Sequence, residues 1–313
     1  MARSIQKLIC RYFVFLCLLG PSALWAQTDG LTTVTLTDQG VKRSYEIHVP
    51  STLVGKTGVP AVFVFHGGQG DGADIADTTQ MAEAGDAAGF ISVFPDSYGD
   101  EWNDGRTESA SPISDVAYIQ TVLAAVVAQH GVDPKRIYAT GLSSGGMFTQ
   151  RLACDLASSF RAFGPVAANL PADYQSACKP ARPNPMSFFN GTTDPMMPWD
   201  GGEITKSAEM GAGGTVLSHS DTMAFWSAVG ACTTLAGPSD WPDTKKDGTT
   251  ITTEELGGCA QSVTMDIYII NDGGHTWPGA TNVSRAKSLV VGKVSQQISA
   301  TNQLVTFFQQ YGL

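Results

Sequence analysis

A chain of 313 residues, 42% of them hydrophobic and 15% charged, can bury a large core and is too rich in apolar residues to be disordered. Its formal net charge of −10 disfavours nucleic acid and anionic membrane surfaces as partners. That charge suits the solubility of an exported protein and says nothing about the fold.

The N-terminus reads as a targeting segment. Arg3, Lys7 and Arg11 are basic, Tyr12 to Leu19 is apolar, and Ser22-Ala23-Leu24-Trp25-Ala26 offers a small-residue cleavage site. We therefore expect a signal peptide over residues 1–26, cut near Ala26, and one catalytic domain over 27–313. The location would be secreted, in the extracellular space or the periplasm, with no membrane association after processing. Cys154, Cys178, Cys232 and Cys259 remain after processing, and an even number in an oxidising compartment suggests two disulfides. Three pairings are possible. Cys154–Cys178 and Cys232–Cys259 are favoured because each pair flanks one continuous strand-and-loop unit. No two of these cysteines have zinc-ligand spacing, so no metal is expected.

Along the chain, residues 31–36 and 45–49 alternate like a hairpin around Gly40. Residues 60–65 (Pro-Ala-Val-Phe-Val-Phe) form a continuous apolar run, as in a strand buried on both faces. Residues 78–88 predict a helix ending at Gly89, and 90–94 the next strand. In residues 115–129, Val116, Ile119, Val122, Leu123 and Val126 make one apolar helical stripe that stops at Gly131. Strands are predicted over 136–140, 163–167, 186–189 and 265–270, and helices over 222–229 and 302–311. This alternation predicts an α/β fold: a single domain with a mostly parallel central sheet and helices on both faces.

The run Gly141-Leu142-Ser143-Ser144-Gly145 falls between a predicted strand and a predicted helix. A Gly-x-Ser-x-Gly turn in that setting lifts a serine hydroxyl above the sheet, and its small residues tolerate the tight backbone. A glycine-rich turn would explain the five residues alone, but three further segments supply the partners that acyl transfer needs. His275 lies in Asp272-Gly273-Gly274-His275-Thr276-Trp277-Pro278-Gly279, directly after a strand, where a loop histidine reaches the serine as base. His219, at the start of a helix, reads as an exposed N-terminal residue. Asp194, in Asn190-Gly191-Thr192-Thr193-Asp194-Pro195, would orient His275, with Asp200 and Asp272 as weaker alternatives. His66-Gly67-Gly68-Gln69-Gly70 follows a strand where such folds supply an oxyanion amide. Gly68 and Ser144 are assigned as the oxyanion hole, with Gln69 as a substitute for Gly68, and His66 is expected to order the loop. Trp277 and Trp199, near the base and the acid, are candidate substrate-binding walls. The acidic loops at 71–77 and 100–104 lack calcium-loop spacing and read as solvated.

With these segments placed, the chain resembles the secreted polyhydroxybutyrate-depolymerase-like esterases, a family related to feruloyl and acetylxylan esterases. The resemblance runs from about Tyr45 to Leu313. It rests on Val132-Asp133-Pro134-Lys135-Arg136-Ile137-Tyr138 before Gly141-Leu142-Ser143-Ser144-Gly145-Gly146-Met147, on Asp194-Pro195 with Pro198, on Trp226 through Cys232, on Cys259, and on Gly273-Gly274-His275-Thr276-Trp277-Pro278-Gly279. It implies an α/β-hydrolase fold with Ser143, Asp194 and His275 as a triad. The expected activity is that of a serine carboxylesterase on 3-hydroxybutyrate oligomers, needing no cofactor and working as a monomer. Feruloyl or acetylxylan ester hydrolysis is the alternative within enzymes, and an inactive hydrolase-fold binding protein is the alternative outside them. Secreted depolymerases of solid polymer often add a linker and a binding module. Neither is read here, so soluble oligomers are expected to be the better substrates.

Overall fold

A computed structural model describes residues 30–205 and 212–313. The predicted signal peptide lies outside the described residues. Among them, ten strands form one sheet. In chain order these are β1 (Thr32–Asp38), β2 (Val41–His48), β3 (Val59–Phe65), β4 (Ile91–Pro95), β5 (Val132–Leu142), β6 (Ala162–Val166) and β7 (Met186–Gly191). The two-residue strands β8 (Gly202–Glu203) and β9 (Thr215–Val216) pair with each other, apart from the sheet. Then β10 (Thr234–Asp240), β11 (Thr250–Gly257) and β12 (Met265–Asn271) complete it. The spatial order is β1-β2-β4-β3-β5-β6-β7-β12-β11-β10. The six central strands, β4 through β12, are parallel. Two antiparallel strands flank them on each side.

The parallel centre follows from composition. Every residue of β3, β4, β6 and β7 is buried, as two covered faces require. Side chains of β3 alternate between two cores. Ala61, Phe63 and Phe65 join α3 (Asp115–His130), α4 (Ser144–Asp155) and α5 (His219–Gly230). Val62 and Val64 join α1 (Gly72–Thr79), α2 (Met81–Ala88) and α7 (Ala300–Gln310). Helices therefore cover both faces, as expected. The remaining helix, α6 (Arg285–Val291), follows the His275 loop. Among the described residues, no helix is long and apolar enough to cross a membrane.

Two departures have local causes. The predicted helix over 78–88 is broken: Gln80 takes a left-handed conformation (φ 51°) that ends α1 and starts α2. Strands β10 and β11 were not predicted, because β10 is exposed along its whole length and carries a Gly-Pro step. The cysteines join as Cys154–Cys178 and Cys232–Cys259. Both bridges lie on the side of the sheet that carries α4 and α5, whose ends they hold.

Candidate active site

Ser143 stands between the end of β5 and the start of α4, at φ 59° and ψ −122°. A non-glycine residue holds that conformation only where its surroundings over-determine it. Here the Ser143 amide donates to the Val166 carbonyl at 3.0 Å, and the Ser143 carbonyl accepts the Met147 amide at 2.8 Å. The glycines of the elbow leave no room for side chains. A Cβ at Gly146 would lie 2.7 Å from that of Ala168, and one at Gly141 2.9 Å from that of Phe65.

His275 reaches Ser143 from the loop after β12. Its Nε2 lies 2.7 Å from Ser143 Oγ, and its Nδ1 lies 2.7 Å from Asp194 Oδ2. A carboxylate only accepts, so Nδ1 carries the proton and Nε2 presents its lone pair to the Ser143 hydroxyl. Asp194 is fixed from behind, because its Oδ1 accepts the Met196 and Met197 amides, each at 2.8 Å. These two amides were not foreseen; the Asp-Pro step that turns the chain back onto its own carboxylate was their signal. With Nδ1 so occupied, Asp200 and Asp272 have no place against the imidazole. The His275 backbone is held by the Val291 carbonyl, 2.6 Å from its amide. The loops after β7 and β12 are also stitched together, through Thr193 N to Gly273 O at 3.1 Å and Asp272 N to Thr192 Oγ1 at 2.9 Å.

The loop after β3 lies across from the elbow. A Cβ at Gly67 would meet that of Ser143 at 3.4 Å. His66 is buried, donates from Nδ1 to the Gly67 carbonyl at 2.7 Å, and accepts the Ser97 amide on Nε2 at 3.1 Å. Burial lowers its pKa, and with both nitrogens engaged it orders the loop. Since a trans peptide points its N–H opposite its C=O, holding the Gly67 carbonyl fixes the direction of the Gly68 amide. The Gln69 amide donates to the Asp100 carbonyl at 2.6 Å and is thereby committed, which removes it as the substitute donor. Ser144 is the first residue of α4, where helix amides lack intrahelical acceptors.

The two tryptophans part company. Trp277 is 2% exposed and lies in the core that includes Phe189 and Leu304, donating from Nε1 to Thr301 Oγ1 at 3.0 Å. It is a core residue and not a substrate wall. Trp199 is half-buried and stacks on His219, with centroids 4.1 Å apart and planes 13° apart. His219 is accordingly buried and not exposed as expected, and burial pulls its pKa down to about 4.

Comparison with known proteins points to ester hydrolases. Residues 43–180 match the family described as esterase PHB depolymerase. NocK of Nocardia uniformis subsp. tsuyamanensis, which carries an esterase name, is 27% identical over 277 residues, or 86% of this chain and 79% of NocK. Feruloyl esterase B of Piromyces equi is 28% identical over 239 residues, 74% of this chain but only 42% of that protein. The solved acetyl xylan esterase from Aspergillus awamori superposes with a TM-score of 0.54 at 15% identity, covering 78% of this chain and 94% of that one. By family match, relatives and fold, the chain is a carboxylic ester hydrolase of the α/β-hydrolase architecture, related to the esterase PHB depolymerases through residues 43–180.

Proposed function

We propose that the protein is a secreted serine carboxylesterase acting on polyhydroxyalkanoate-type esters such as 3-hydroxybutyrate oligomers. The observation that carries this reading is the single imidazole of His275 bridging Ser143 and Asp194, with 2.7 Å on each side. In the proposed mechanism Ser143 attacks the ester carbonyl while His275 accepts its proton. The proton then passes to the departing alcohol. Asp194 holds the imidazole in the productive tautomer and faces the imidazolium that forms. The Gly68 and Ser144 amides receive the oxyanion. Water attacks the acyl-enzyme with His275 again as base.

The match of residues 43–180 to the family described as esterase PHB depolymerase supports the choice of acyl group. The half-buried Trp199 and the feruloyl esterase relative support a second reading, hydrolysis of feruloyl or acetyl esters on plant polysaccharide. Two paired disulfides and the basic-then-apolar N-terminus support export.

The test is a panel of 3-hydroxybutyrate oligomers, methyl ferulate and acetylated xylan, run on wild type and Ser143→Ala. The variant should lose about 10³-fold or more of its turnover. A serine-directed phosphonate should label Ser143. Full activity in Ser143→Ala would end the mechanism, and fastest turnover of methyl ferulate would move the substrate to the second reading.

A further inference from the structure

Glu101 belongs to no sequence motif, yet it touches two parts of the site. Its carboxylate rests on Gly68, where a Cβ would lie 3.0 Å from Glu101 Cδ. Its Oε1 accepts the Ala212 amide at 3.0 Å, and its Oε2 accepts Arg106 Nη2 at 3.0 Å. Arg106 is buried and is gripped from its other side by Asp104, through Nε at 3.0 Å and Nη2 at 2.6 Å. Ser109 Oγ donates to Asp104 at 2.7 Å, and Arg106 Nη1 donates to the Gly213 carbonyl. A buried ion cluster thus ends in a carboxylate that holds the start of the segment 212–216.

That segment leads into β9. Val216 packs with Ile204 against Met147 and Met197, which lie beside Ser143 and Asp194 respectively. The stretch around Glu101 also anchors the oxyanion loop, since Asp100 takes the Gln69 amide at 2.6 Å and Trp102 Nε1 donates to the His66 carbonyl at 2.9 Å. Asp104 already compensates the Arg106 charge. A second buried carboxylate is costly unless it is bonded in more than one direction. Glu101 has that arrangement: one oxygen faces the cluster and the other faces the 212–216 wall.

We infer that Glu101 is a positioning residue that fixes the oxyanion loop at Gly68 against the segment Ala212–Val216, and thereby the alignment of the Gly68 amide with Ser143. The inference rests on the assignment of Ser143 and Gly68 made above. Glu101 touches neither the nucleophile nor the base, so it acts through the placement of the oxyanion amide, and its effect belongs in kcat more than in KM.

The experiment compares Glu101→Ala, Glu101→Gln and Ala212→Pro on p-nitrophenyl acetate and p-nitrophenyl octanoate. Active sites are counted by phosphonate titration, so that unfolded protein does not enter the rates. Glu101→Ala should lower kcat roughly ten-fold on both esters while KM stays within about two-fold, the pattern of a displaced oxyanion amide. Glu101→Gln keeps a carbonyl for the Ala212 amide and should recover most of that loss. Ala212→Pro removes the donor that holds Glu101 Oε1, keeps every charged side chain of the cluster, and should reproduce part of the kcat loss even if Glu101→Ala fails to fold. An unchanged kcat on both esters, or a rise in KM alone, would overturn the inference. Failure of the phosphonate to label wild-type Ser143 would instead refute the underlying mechanism, so the two failures are distinguishable.

Discussion

Gly145 sets its Cα against the backbone carbonyl of His66, where any side chain would overlap that oxygen and the neighbouring carbonyl of Phe65. The elbow is thus seated directly on the end of β3. The elbow and the loop after β3 are in direct backbone contact, without a cushion of side chains between them.

Gly145→Ala should therefore cost about 1–3 kcal/mol by overpacking and should also lower kcat by separating Ser143 from Gly68. Gly40, at φ 80° with open space around its Cα, is the control. Gly40→Ala should cost about 1 kcal/mol for its left-handed backbone and leave kcat unchanged. Urea midpoints and titrated kcat values check both. Intact activity in Gly145→Ala would show that the elbow can yield.

Trp277→Phe should destabilise by about 1–3 kcal/mol, because it empties part of a packed core and removes the donor to Thr301. KM should stay within about two-fold, since the ring is core and does not touch substrate. A large rise in KM at unchanged stability would return Trp277 to the substrate wall.

His219 gives a pH dependence of definite sign. Its folded pKa, about 4, lies below the unfolded value of about 6.5. Between those values the unfolded chain binds more protons, so stability falls as pH drops from about 6.5 towards 4. His219→Phe keeps the stack on Trp199 and removes the titration. The stability gap between the variant and wild type should shift in the variant's favour over that window and stay flat above it. Parallel curves from pH 7 to 4 would contradict the assignment.

The disulfides enclose similar lengths of chain, with separations of 24 and 27 residues. On the chain-entropy model each is worth roughly 3 kcal/mol. Paired Cys→Ala replacement at 154/178, and separately at 232/259, should lower the denaturant midpoint accordingly while the triad contacts persist. Mass mapping of unreduced peptides should find these two links and no crossed pair.

The central sheet was legible because continuous apolar runs such as residues 60–65 have no other stable home in a chain of this kind. The residues proposed as the triad could be picked out because each follows a strand: Ser143 follows β5, Asp194 follows β7 and His275 follows β12. What escaped notice was set by tertiary contact. Whether Trp277 faces substrate or core depends on a ring direction that sequence position does not encode. Glu101 and Asp104 lie in the loop 100–104 that reads as acidic and solvated, yet with Arg106 they form a partly or wholly buried cluster, held in part by partners over a hundred residues away at Ala212 and Gly213. Strand β11 was missed because its Thr- and Glu-rich sequence mimics a loop.

The backbone of Ser143 makes its position a thermodynamic liability. At φ 59° and ψ −122°, a residue with a side chain gives up about 1–3 kcal/mol that glycine would not. Selection for heat resistance alone would thus discard the hydroxyl. Ser143→Gly should melt no lower than wild type, even though glycine adds freedom to the unfolded chain. A screen of this protein for thermostability without a parallel activity screen should accumulate silent, dead variants at this one codon.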